Sequence, residues 1–236
     1  MAFIFSPLTE DVLDSPYEPL PRGVFVMLQL GQGRSSLETE IEASVLALLK
    51  NKKLKPNTAA SERTQKDYLA KIIQLIRGSG FGVAIFSEYT PATTLANIFF
   101  EVALCNLLGK PALLVKSEDA KAPSDFARTE WVTYRAMHKT QFKTDFTQAV
   151  QSIFDLAGYY ERLGNIAMGA EDIDLELAFE RYRQAFLING RKDVKEKIMR
   201  LTARAREDGD TASILKPART RFRAATNEFI RFLHDA

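Results

Sequence analysis

FGVAIFSEYTPATTLANIFFEVALCNLLGKPALLVKS, residues 81–117, holds two short apolar runs with a helical segment between them. FGVAIFS (81–87) and PALLVKS (111–117) read as strands. Both are short, rich in large or β-branched apolar residues, and without strict polar alternation. Such strands are covered on both faces, and a pair joined through a helix forms a right-handed parallel unit. Between them, EYTPATTLAN (88–97) reads as a loop ending in Asn97 as helix cap. The helix then runs to about Gly109.

The same pattern extends in both directions. GVFVMLQL (23–30) reads as another buried strand, followed by Gly-Gln-Gly. Ser35 and Glu38 stand at capping-box spacing and open a helix to about Lys52. KLKPNTAASERTQ (53–65) reads as a polar connection before a helix over about 64–78, whose Tyr68, Leu69, Ile72, Ile73, Leu75 and Ile76 form a wide apolar stripe. EWVTYRA (130–136) reads as a fourth strand. Strands alternating with helices predict an α/β domain built on a parallel sheet. Residues 1–22, with four prolines and four acidic residues, read as an irregular leader.

From about Lys139 the chain reads as helical throughout. Within YYERLGNIAM…LAFERYRQAFLING, Tyr160, Leu163 and Gly164, then Ala178, Tyr182 and Ala185, resemble the two helices of a tetratricopeptide repeat. A single copy cannot stack into a solenoid, so the segment reads as a helical hairpin. Residues 192–236 read as two further amphipathic helices, broken near Asp208-Gly209-Asp210 and at Pro217. The predicted division is therefore leader 1–22, α/β domain 23–150 and α-helical region 151–236.

Composition limits the function classes. The chain has 236 residues, 46% of them hydrophobic, enough for one α/β domain with an appendage. One cysteine, Cys105, permits no intrachain disulfide and suits a reducing, cytoplasmic compartment. The start lacks signal-peptide character, and the longest apolar run is interrupted by Asn97, Glu101 and Asn106, which argues against a membrane span. Two histidines and one cysteine supply no metal-ligand cluster. Residues 191–236 carry 12 Lys/Arg against 7 Asp/Glu, a surplus of +5 in a chain of net charge +2, leaving −3 elsewhere. Arg219, Arg221 and Arg223 alternate, do not share one helical face, and give little support for nucleic-acid binding.

Glu101 is the one carboxylate in the apolar helix. Ligands of parallel α/β sheets bind beyond the carboxyl ends of the strands, and this helix begins at such a mouth. At four residues' spacing, Asn97 and Glu101 share a face. Proximity to the helix N-terminus would favour the ionised carboxylate. A carboxylate in an apolar cleft suits stabilisation or capture of a sugar oxocarbenium ion as a glycosidic bond breaks.

Asn97-Ile-Phe-Phe-Glu101-Val-Ala-Leu, with the Gly109-Lys110-Pro111 turn into ALLV, resembles the signature of the nucleoside 2-deoxyribosyltransferase-like proteins. That superfamily merges with the Toll/interleukin-receptor-like (TIR-like) nucleosidases, and the resemblance covers about residues 23–150. It implies a flavodoxin-like or TIR-like three-layer domain with Glu101 as catalytic glutamate and Asn97 beside it. It places the first loop, with Gln29, Gly31 and Arg34, against a substrate phosphate or sugar, and lets Asp125 reach in from the third mouth. Where many relatives carry an aspartate after the second strand this chain has Ser87, and the transferases' aspartate six residues before the glutamate is Leu95. Ser87 followed by Tyr89 is similar to the TIR-like branch, in which Tyr89 or Phe99 would stack on a ring.

The resemblance thus implies a nucleotide N-glycosidase, with NAD as substrate rather than cofactor. An anti-phage defence role and a homo-oligomer or activating partner, engaged through the C-terminal helices, follow by the same route. The alternatives are a nucleoside or deoxynucleotide N-glycosidase or deoxyribosyltransferase, and a non-catalytic nucleotide-binding or assembly module.

Overall fold

The structure, a computed structural model, describes residues 17–31, 33–60, 68–121, 131–169, 173–207 and 232–233, with Glu176 and residues 204–207 as backbone alone. Asp125 and the Arg219–Arg223 segment lie outside the described residues.

Five strands form one parallel sheet: β1 (Gly23–Met27), β2 (Lys55–Asn57), β3 (Phe81–Phe86), β4 (Ala112–Ser117) and β5 (Trp131–Tyr134). Their order is β2-β1-β3-β4-β5, every neighbouring pair being parallel. This is the flavodoxin-like order, in which the direction of strand addition reverses between β1 and β3. The four strands legible in the sequence are present. The fifth, β2, falls inside the segment read as a polar connection, which is a correction. It is three residues long and carries Pro56, which no central strand would tolerate but an edge strand accommodates.

Two helical layers cover the sheet. On one face α1 (Ser36–Asn51) and α4 (Lys139–Gly169) bury Ile41, Val45 and Leu49, and Phe142, Phe146 and Val150, against Val24, Val83, Ile85 and Val115. On the other, α2 (Tyr68–Gly78) and α3 (Ala92–Leu107) bury Ile72, Ile73 and Ile76, and Ile98, Val102 and Cys105, against Phe25, Met27, Ala84 and Leu114. Each fully buried side chain of this size contributes roughly 1.5–3 kcal/mol. The predicted capping box is formed: the Glu38 amide donates to Ser35 Oγ at 3.1 Å, and the Ser35 amide to Glu38 Oε2 at 3.0 Å.

The expected boundary at residue 150 falls within α4, which continues without a break for 31 residues. Its second half forms an antiparallel hairpin with α5 (Leu175–Asn189), and α6 (Lys192–Glu207) follows. Gly164 lies where a Cβ would stand 2.6 Å from the Tyr182 ring, and Tyr182 Oη donates to Asn165 Oδ1 at 3.0 Å. Sheet, α4 and α5 share one hydrophobic core. The hairpin closes on the base of the sheet, where the Arg22 amide donates to the Leu187 carbonyl at 2.8 Å. Arg183 donates to the Tyr17 hydroxyl, so the described end of the predicted leader is pinned there. Nearby, buried Lys110 donates to the Ser79 carbonyl at 2.7 Å, and burial holds its pKa well below the ordinary lysine value.

Candidate functional site

β2 pairs with β1 only as far as Phe25–Asn57. Beyond that register a cavity of about 170 Å³ opens, bordered on the β1 side by Val26, Leu28 and Leu30. The side chains of Val26 and Leu28 belong to the core on the opposite face, so what they present to the cavity is backbone. Ala59 follows β2 along the wall, α2 contributes Tyr68, and α3 contributes Thr94, Asn97, Ile98 and Glu101. The cavity thus adjoins the carboxyl end of β1 on its β2 side, with α2 and α3 as its further walls.

Asn97 and Glu101 are brought together as their spacing predicts, but the local structure differs from the expectation. α3 begins at Ala92, directly after Pro91, so Asn97 lies inside the helix rather than capping it. Proline fixes its own φ, here −57°, and the helix starts directly after it, six residues earlier than a cap at Asn97 implies. Glu101 therefore sits in the third turn, beyond the range in which a helix N-terminus favours a negative charge. Its surroundings act in the opposite sense. Glu101 is 9% exposed, has no hydrogen bond or ion pair among the described residues, and burial pushes its pKa up to about 7.

Two neighbours respond to that carboxylate. Burial, with the Glu101 charge added, raises the Tyr68 phenol above its ordinary value. One turn along α3, burial pushes the Cys105 thiol up to about 12, with the Glu101 charge adding to the rise and Lys110 opposing it. Cys105 is fully enclosed and remains a thiol at any physiological pH, which removes it as a nucleophile.

The other predicted site residues that the structure describes do not line this cavity. Phe99 is buried and packs edge-on against Phe86, with ring centroids 5.4 Å apart, so its ring belongs to the core. Tyr89 is 63% exposed in the turn after β3. Gly31, in the first loop, has φ +90, a backbone that glycine adopts freely. Arg34 is paired with Glu42 at 2.7 Å. Gln29 is buried, with its side-chain oxygen unpartnered among the described residues. Leu30 is the residue of that loop that reaches the cavity.

Ser87 belongs to a network the sequence reading did not resolve. The Ser87 amide donates to Thr90 Oγ1 at 2.8 Å, and Ser87 Oγ accepts from the Tyr89 amide at 3.0 Å. The Thr90 hydroxyl donates in turn to Glu38 Oε1. Glu38, 3% exposed, thus ties the turn that launches α3 to the start of α1. Burial disfavours its charge, but bonds from Thr90 and Ser35 outweigh that and hold its pKa below the ordinary carboxylate value.

Tyr68 and Glu38 are the residues that sequence reasoning missed in these roles. Glu38 was visible only as a capping partner, and Tyr68 only as part of an apolar stripe. The signal for Tyr68 is its position at the polar end of that stripe, where an aromatic has no core to enter.

No protein-family model matches the sequence, and no curated protein matches it. Among the described residues no group of three His, Cys, Asp or Glu could hold a metal ion, and no helix is long and apolar enough to cross a membrane.

Proposed function

We propose that the chain is a nucleotide N-glycosidase that hydrolyses NAD to nicotinamide and ADP-ribose, with Glu101 as its catalytic carboxylate. The observation that carries this reading is a buried carboxyl group, without a partner among the described residues, lining a cavity at the carboxyl end of β1. A buried carboxylate without a cation beside it among the described residues is unfavourable, as its raised pKa expresses. A positive charge arriving beside it relieves that cost. As the C1′–N bond of NAD breaks, the pair of electrons leaves with nicotinamide and the positive charge moves onto the ribose. Charge that develops on the sugar during reaction is what a fixed carboxylate stabilises selectively. Water then adds to C1′ and releases a proton, giving ADP-ribose. Asn97, one turn away on the same face, is placed to bind a ribose hydroxyl.

The reacting form of Glu101 is the anion. In the free protein the anion becomes the major form above about pH 7, so kcat/KM rises through that value and levels off above it. A bound cationic ring moves the rise in kcat to lower pH. Glu101→Gln keeps the shape of the side chain and removes its charge. The expected result is loss of nicotinamide release by a factor of 100 or more, on the order of one strong electrostatic contact, in a protein that still folds. Undiminished turnover in that variant would sink the assignment.

A second reading keeps the same residue and changes the substrate to a nucleoside or deoxynucleotide. The small cavity favours it, since 170 Å³ is below the roughly 300–1,000 Å³ of sites that enclose drug-sized ligands. Leu95 packs among the apolar residues of the α3 layer and supplies no carboxylate for base exchange, so hydrolysis is favoured over transfer. Chromatography after incubation with NAD and a nucleoside panel separates the two by the base released.

A further inference from the structure

We infer that Tyr68 is a substrate-binding residue, its ring forming the aromatic wall on which the departing base stacks while Glu101 faces the sugar; this rests on the N-glycosidase reading. Tyr68 lines the cavity together with Glu101 and comes from a different helix. Its side chain is 59% exposed although the residues following it on the same helix, Ile72, Ile73 and Ile76, are buried. Leu30, 41% exposed, stands on the β1 side of the same cavity. Two large side chains therefore stand at this cavity with much of their surface uncovered, and a flat heterocycle would cover both.

The cavity's size limits what can enter. At about 170 Å³ it suits one ring and the adjoining sugar carbon rather than a whole dinucleotide. The enclosed part of the substrate is then the base and the scissile bond, and the remainder extends outward past Leu30 and Tyr68. Neither Tyr89 nor Phe99 can take this role, since one lies outside the cavity and the other is closed into the core. An aromatic face is tolerant of base identity, because every base has a π-surface; selectivity falls to hydrogen bonding along the β1 backbone that β2 leaves uncovered.

The test uses free nicotinamide as probe, with binding followed by ligand-observed NMR on the full chain, and NAD turnover measured in parallel. Tyr68→Ala should weaken nicotinamide binding about tenfold and raise KM for NAD by a similar factor, with kcat nearly unchanged. Tyr68→Phe keeps the ring and should restore both. Because the side chain is largely exposed, Tyr68→Ala should melt where the wild type does. Nicotinamide binding equal in Tyr68→Ala and wild type, or undetectable in wild type, overturns the inference. Tyr68-dependent nicotinamide binding without NAD cleavage would sustain the stacking role and overturn the catalytic reading instead.

Discussion

Two glutamates, one on each side of the sheet, are both buried and are driven in opposite directions. Glu38 is 3% exposed at the start of α1, and Glu101 is 9% exposed in α3. Burial penalises the charge of both. Glu38 escapes the penalty through the hydroxyls of Thr90 and Ser35 and the Ser35 amide, so its pKa falls. Glu101 has no such donor among the described residues, and its pKa rises to about 7. Hydrogen bonding, more than depth, decides which carboxylate is comfortable. The first is built into the scaffold. The second has no such partner among the described residues and lines a cavity, which makes it the candidate for chemistry of the two.

Substitutions at the two positions should therefore act with opposite signs on stability. Glu38→Ala is the larger effect. It removes the capping box and leaves Thr90 without its acceptor, a combined loss of about 3 kcal/mol, or roughly 6–12 °C in melting temperature for a chain of this size. An unchanged melting temperature would show that the network contributes nothing.

Glu101→Gln should stabilise the protein at pH 8 by up to about 3 kcal/mol, from the rise between 4.5 and about 7. Between those values the folded chain keeps the Glu101 proton that the unfolded chain has lost, so wild-type stability falls as pH rises through that window. The advantage of the variant should shrink on acidification and vanish near pH 4.5. Glu38 works the other way: its contribution is complete above the ordinary carboxylate pKa and is lost as pH falls through its depressed folded value. Denaturant melts of both variants at several pH values measure the two trends together. A Glu101→Gln advantage that does not depend on pH would disprove the cause assigned to it. Smallest of the three, Thr90→Val should cost about 1–2 kcal/mol by leaving the Ser87 amide and one Glu38 oxygen unpaired.

The sheet was legible because β1, β3 and β4 are largely continuous apolar runs and β5 is a short aromatic and β-branched stretch, signals that do not depend on distant residues. β2 was not, because an edge strand of three residues containing Pro56 has neither length nor pattern. The register of α3 was misread for a related reason. Thr93 and Thr94 look like loop residues, yet Pro91 starts the helix ahead of them, and no periodicity in 88–97 reveals it. The Asn97–Glu101 pair survived that error because helical spacing fixes relative placement whatever the starting residue. What surrounds the pair depends on where β2 stops and on Tyr68 at the start of α2, about thirty residues away. Those are tertiary facts, and they brought Tyr68 into the cavity in place of Tyr89.

The closure of the hairpin on the sheet constrains any exchange of its parts. A Cβ at Gly80 would lie 2.5 Å from the Leu187 carbonyl oxygen and 2.8 Å from the Ile188 Cα. Backbone meets backbone there, so no side-chain rearrangement can make room, and even alanine is too large. Position 80 and the last turn of α5 therefore fit only as a pair. A chimaera that exchanged the helical tail for another would need the replacement to bring a main chain of the same contour to that glycine.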